Sequence, residues 1–163
     1  MRWIALILLV SSCHCRQPKR GYEPSVLEEQ TQDASPTLTQ YFSSHDDRDC
    51  PSANRWGEGL AEQMVQIAQT VQMPPWVGIR AATCVTQAYG DQQKEALARW
   101  VSERQWAGLG RAVILELSQV EEALALQLVE MALVGHLEEF AIRHLEQSVH
   151  EKVRTRIIQH RTR

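Results

Sequence analysis

Ala123-Leu124-Ala125-Leu126-Gln127-Leu128-Val129-Glu130-Met131-Ala132-Leu133-Val134 decides the fold class. Ten of these twelve residues are apolar, and the two that are not, Gln127 and Glu130, do not alternate with them as a half-buried strand requires. A run of this length reads as a helix, yet it falls short of the ~20 residues needed to cross a bilayer. It therefore predicts a helix buried on most sides, which other helices must surround. Its ends are marked. Ser118 with Glu121 three residues on has the spacing of a capping box, and Gly135 is a natural stop.

Working toward the C-terminus, Ser148 and Glu151 repeat the box and separate a helix over 136–147 from one over 149–160. The last helix keeps a narrow apolar line, Val149, Val153 and Ile157, with Lys152, Arg154 and Arg156 on its other faces. Working toward the N-terminus, helices are predicted over 105–117, 92–103 and 75–89. Pro75 opens the last of these, Gly90 stops it and Asp91 caps the next. Leu60, Met64, Ile67, Ala68 and Val71 recur at helical spacing and predict a further helix over 57–72. No strand-like alternation competes after residue 51, so the expected class is all-α.

The predicted helices come in pairs, and the pairs repeat. Trp76-Val77-Gly78-Ile79-Arg80-Ala81 is echoed by Trp106-Ala107-Gly108-Leu109-Gly110-Arg111-Ala112, and faintly by Phe140-Ala141-Ile142-Arg143. The arginines fall 31 and 32 residues apart, and Ser118 and Ser148 are 30 apart. Self-similarity of this kind marks helix pairs that bury their apolar faces by stacking. With Pro75, the Ile79-Arg80-Ala81-Ala82 run and Ala88-Tyr89-Gly90-Asp91, residues 74–160 resemble the short HEAT-repeat family. The resemblance is carried mainly by the first pair, since the later ones lack the proline and the Gly-Asp turn. It implies a short α-solenoid of about three helix pairs plus an N-terminal helix, with an irregular helical bundle as the alternative. It also implies that Arg80, Arg111 and Arg143 hydrogen-bond into neighbouring turns.

The first fifty residues have a different character. Arg2, the apolar run over 3–10 and the small Ser11-Ser12 before Cys13 have the layout of a secretory signal peptide. Leu9-Val10-Ser11-Ser12-Cys13 resembles the lipobox of bacterial lipoproteins, which implies acylation of Cys13, as by palmitate, and attachment to a membrane of the cell envelope. The expected organisation is a signal peptide over 1–12, a lipid-anchored disordered linker over 13–50 and a helical repeat domain over 51–163. The linker is rich in Gln, Ser, Thr, Pro and Glu, too polar to offset the entropy of ordering. No structure is assigned to its small apolar clusters, Val26-Leu27 and 38–42. Export favours a bridge among the remaining cysteines, and Cys50 with Cys84 is the pair expected, the alternative being that Cys84 is a small buried helix residue. Cys15 is left over.

The net charge of −3 offers no basic surplus for nucleic acid. There is no glycine-rich phosphate loop, nucleophile elbow or recognisable acid–base pair, and no catalytic residue, metal site or cofactor is expected. His45, Asp46, Asp47, Asp49 and Cys50 are metal-ligating types without rigid spacing. His144 falls on an apolar line with Leu137, Phe140 and Ala141, the place of a core histidine. Trp76, Trp100 and Trp106 are expected as packing, and Trp56 as the most exposed tryptophan. Residues 116–139 hold six glutamates and no lysine or arginine, a charge of −6; residues 143–163 hold six basic and two acidic residues, +4. These are either two solvated faces that attract one another or a polar groove for a partner. The function expected is a membrane-tethered, non-catalytic protein-interaction module with an envelope protein as partner. Glu122, Glu130, Lys152 and Arg156 are the expected contact face. A structural spacer, or a ligand carrier or lyase-like enzyme using a pocket between helices, is the alternative.

Overall fold

The computed structural model describes residues 37–44 and 49–162. The expected signal peptide, Cys13, Cys15 and most of the expected linker lie outside the described residues, as do His45, Asp46 and Asp47. Among the described residues the chain is all-α, with no strand. The helices are α1 (Leu38–Ser43), α2 (Ala53–Trp56), α3 (Leu60–Thr70), α4 (Pro75–Tyr89), α5 (Lys94–Ser102), α6 (Ala107–Leu115), α7 (Glu122–Leu133), α8 (Glu138–Leu145) and α9 (Glu151–Arg161). Short 3₁₀ turns at Arg104–Trp106 and Leu117–Gln119 lead into α6 and toward α7. No described helix is long and apolar enough to cross a membrane.

α3 packs along α4, α5 along α6, and α7 along α8. α4 also lies beside α6 and α6 beside α8, while α5 lies beside α7 and α7 beside α9. The helices thus fall into two neighbouring rows within a compact bundle. α7, the run that decided the class, buries Leu124, Ala125, Leu128, Val129, Ala132 and Leu133. Trp100 of α5 is wholly buried, and one contiguous core extends from Leu38 to Ile157.

Three local expectations need correction. First, part of the expected linker is built into the fold. Thr37 and Gln40 form a reciprocal capping box that starts α1, and Leu38, Tyr41 and Phe42 are buried in the core. Three apolar side chains on one short helix offset the cost of ordering this otherwise polar stretch. Second, neither Ser118 nor Ser148 caps a helix. Ser118 belongs to the 3₁₀ turn, and α7 begins behind Glu121. Ser148 is buried, its Oγ accepting from the His150 amide at 3.3 Å and its carbonyl from Arg154 Nη1 at 2.8 Å. Third, Asp91 is not an N-cap; Gln93 precedes α5.

Gly90 does end α4, though by proximity rather than by a left-handed conformation. A Cβ there would lie 2.5 Å from Cγ1 of Val120, so its bareness lets the end of α4 close on the turn before α7. The true left-handed glycines are Gly57 and Gly59, at φ 84° and 74°, and they delay α3 until Leu60.

The N-terminal segment is fastened to α4 twice. Cys50 and Cys84 are bridged, with Cα atoms 5.3 Å apart, as expected of this pair. Arg80, one turn earlier on α4, donates from Nη1 to the carbonyl of Phe42 at 2.9 Å and to that of Ser44. Those carbonyls close the C-terminal end of α1, where a cation is favoured. The Tyr41 hydroxyl donates to the Asp49 carbonyl at 2.7 Å, and the Tyr41 ring meets Phe42 and Trp56 edge-on.

Candidate functional site

The four residues expected to face a partner face each other instead. Lys152 Nζ lies 3.1 Å from Glu122 Oε2, and the Lys152 amide donates to Glu122 Oε1 at 3.2 Å. Arg156 meets Glu130 through both Nε and Nη2, the latter at 2.8 Å. Two rungs therefore tie α9 to α7. The hydrogen bonds from Lys152 hold the Glu122 carboxyl below the usual carboxylate range, and the bond to Glu130 pushes the Arg156 guanidinium up. His160 adds a contact to Glu138 at 2.7 Å, and Arg161 one to Glu146. The acidic and basic stretches thus meet within the chain, the blander of the two expectations. Such exposed pairs contribute modestly to stability.

The open surface is elsewhere, on the row formed by α4, α6 and α8. A hollow of about 300 Å³ runs between α3, α4 and the start of α6, lined by Val71, Ile79, Trp106, Leu109 and the carboxamides of Gln69, Gln72 and Gln105. A second of about 330 Å³ adjoins it, sharing Ile79 and Gly108, and is lined by Thr83, Arg111, Ala112, Leu115, Glu116 and Phe140. Together they form a trough. Ile79 is 41% exposed and Leu115 56%, with Met73 (80%) and Trp76 (40%) on the adjoining stretch. Large apolar side chains exposed side by side are the less common case on a folded surface.

The local sequence explains the hollow. Gly108 sits inside α6, and a Cβ added there meets nothing within 4 Å. Gly110, two residues on, is packed: its Cβ would lie 2.4 Å from the Trp100 carbonyl and 2.7 Å from Leu137 Cδ1. Gly78 has a related position on α4, 3.0 Å from the Ala68 carbonyl. The sequence echo aligns Gly108 with Gly78, but Gly110 makes the close approach.

The three repeated arginines do different things. Arg80 clamps α1, as the resemblance implied of such residues, but Arg111 and Arg143 depart from it. Arg111 is exposed, with its guanidinium 5.5 Å from the centroid of the Phe140 ring. Arg143 is exposed on α8. His144 is also exposed, its ring 4.2 Å from that of Phe140 and tilted 38° to it, rather than sitting in the core as expected. Trp56 is half-buried and Trp76 is the more exposed, the reverse of the expectation, because α1 supplies Tyr41 as a partner for Trp56. The last line of α9 is corrected too: Val153 and Ile157 are buried, whereas Val149 precedes the helix and is exposed.

Sequence reasoning missed the trough because its apolar residues, Ile79, Leu115 and Phe140 among them, fall at the spacing of core residues. The one signal was the glycine pair at 108 and 110, where a regular helix needs neither. Among the described residues, no group of three or more His, Cys, Asp or Glu side chains is placed to hold a metal ion. Cys50, the described cysteine of the metal-ligating cluster, is taken by the bridge. Comparison of the chain with protein-family models, with curated proteins and with solved structures finds no match.

Proposed function

We propose that this chain is a membrane-tethered, non-catalytic interaction module of a bacterial cell envelope, held by lipid on Cys13 and binding an envelope protein through the α4–α6 trough. The observation that carries the reading is the trough itself, an apolar surface left open while the charged faces of α7 and α9 are spent on each other. Export is supported by the arrangement of Arg2, the apolar run and Ser11-Ser12 before Cys13, and by a disulfide, which persists in oxidising compartments. The HEAT-like solenoid is supported by the way α4, α6 and α8 neighbour one another in sequence while α5, α7 and α9 do the same. Because fold does not dictate function, the trough rather than the repeat is the argument for binding.

Two measurements test it. Intact mass and membrane fractionation of wild type against Cys13→Ser should show a lipidated product that becomes soluble on substitution; equal mass and fraction would remove the tether. A photoreactive residue placed at Leu115, in intact envelopes, should yield one discrete cross-linked protein, and a crosslink-free result would remove the interaction. A spacer role is favoured by a different observation, the fastening of Phe42, Ser44 and Cys50 to α4 where a tether would join the domain. It predicts altered envelope integrity on deletion without a stoichiometric complex.

A further inference from the structure

The α4–α6 trough also constrains the chemistry of its partner, and this inference rests on the interaction reading above. Gly108, Arg111 and Leu115 lie three and four residues apart on α6 and so share its open face. Arg111 is held there by the Phe140 ring, which is backed in turn by His144 at 4.2 Å. Among the described residues no carboxylate or carbonyl accepts from Arg111, in contrast to Arg80, Arg156 and Arg161. Lying against a ring does not consume the donors of a guanidinium, which point outward in its plane as a fixed fork.

The trough therefore presents a rigid cationic fork beside an apolar hollow of about 330 Å³. The other charged group lining that hollow is Glu116, a carboxylate anchored by Gln87 Nε2 at 2.9 Å, so Arg111 is the one cationic group in its lining. The adjoining hollow is lined by no charged residue. An incoming carboxylate has one favourable place, the Arg111 fork, and an incoming ammonium is repelled there.

We infer that Arg111 is the specificity determinant of the trough, selecting a peptide segment whose apolar side chains flank a single Asp or Glu. The apolar residues fill the surface around Ile79 and Leu115, and the carboxylate docks bidentately on the fork. Phe140 acts as a positioning residue, since it orients the guanidinium without touching the partner's carboxylate.

The test is selection of a phage-displayed random dodecapeptide library on the full chain, with Leu115→Glu, which blocks the hollow, as the subtractive control. Enriched sequences should share apolar positions and one acidic residue in a fixed register. A synthetic peptide of that consensus should bind Arg111→Gln at least about tenfold more weakly, as expected for loss of a charge-assisted bond. Arg111→Lys should recover only part of the loss, because it keeps the charge but not the fork. Phe140→Leu should weaken the acidic peptide more than its Asp→Asn or Glu→Gln counterpart, a difference that mere loss of packing would not produce. Because Arg111 is exposed, its variants should melt as the wild type does. Apolar peptides with no acidic residue, or equal binding by Arg111→Gln, would overturn this inference and leave the interaction reading standing. No enrichment over the Leu115→Glu control would overturn both.

Discussion

Arg80 and Cys84 stand one helical turn apart on α4 and grip the two ends of the same segment. Arg80 takes the carbonyls of Phe42 and Ser44 at its start, and Cys84 takes Cys50 at its finish. Removing the bridge by Cys50→Ser with Cys84→Ser should cost ~3–4 kcal/mol on the chain-entropy account of a loop this long. Arg80→Met should cost about 1.5–3 kcal/mol, the range for a hydrogen bond from a charged donor. Because both fasten one segment, the combined variant should lose less than the sum of the two, and urea denaturation of the four proteins measures that coupling.

Phe42 is wholly buried although it lies in a stretch whose composition argues for disorder. Phe42→Ala should therefore cost ~3–5 kcal/mol, the range for emptying a buried aromatic site. If residues 37–44 were a passive leash, the unfolding midpoint would not move.

Gly108 and Gly110 look alike in sequence and differ in space. Gly110→Ala drives a methyl into the Trp100 carbonyl, which is backbone and has little room to yield, and should cost ~1–3 kcal/mol. Gly108→Ala adds a methyl to open space within a helix and should raise stability by ~0.5–1 kcal/mol. Thermal melts of the two single variants decide the matter, and opposite signs are expected.

The Glu122–Lys152 rung gives the fold an acid-side sensitivity. Glu122 is held below its ordinary value, so the folded chain keeps this carboxylate ionised where the unfolded chain has begun to bind a proton. Its contribution is complete above the ordinary carboxylate value and is lost as the pH falls through the lowered one. Lys152→Met should lower the urea midpoint at pH 7 and leave it close to the wild-type value near pH 3, so that the fall between the two flattens. An unchanged acid slope would mean that solvent screens the pair entirely.

The Glu130–Arg156 rung can be tested by exchange. Glu130→Arg or Arg156→Glu alone places like charges together across α7 and α9 and should lower the melting temperature. The double exchange should recover part of the loss, since it restores opposite charges across the two helices but places the guanidinium fork on the other one.

Much of the fold was legible in particular residues. The density of apolar positions in 123–134 requires a helix enclosed by others, and that requirement is local. Pro75 marks the start of α4 and Gly90 its end, for reasons of backbone geometry that travel with the residue. Capping was less legible. Ser118 and Glu121 have the spacing of a box, but Val120 seats against Gly90 in an extended conformation, and that seat pushes the start of α7 past both. The spacing states what a helix end could do; one valine and one glycine thirty residues apart in the chain decide what this one does.

The candidate site was the least legible part. Glu122, Glu130, Lys152 and Arg156 were recognisable as a charged face, but a sequence of charges carries no record of which charge it meets. The trough needed the same kind of information, because Ile79, Leu115 and Phe140 have the periodicity of core residues and differ from core only in having no helix laid over them.

By itself the sequence determined that the described domain is all-α, where most of its helices lie, and that Cys50 and Cys84 suit one another as partners. These follow from period, propensity and the chemistry of single residues. Only the tertiary structure decided that residues 37–44 join the core, that Gly110 rather than Gly108 makes the close approach, that the charged faces neutralise one another, and that Arg111 keeps its donors. Each of those depends on which distant surface comes to rest against a residue, and a helix's own pattern fixes the angle of its apolar face but not the identity of what covers it.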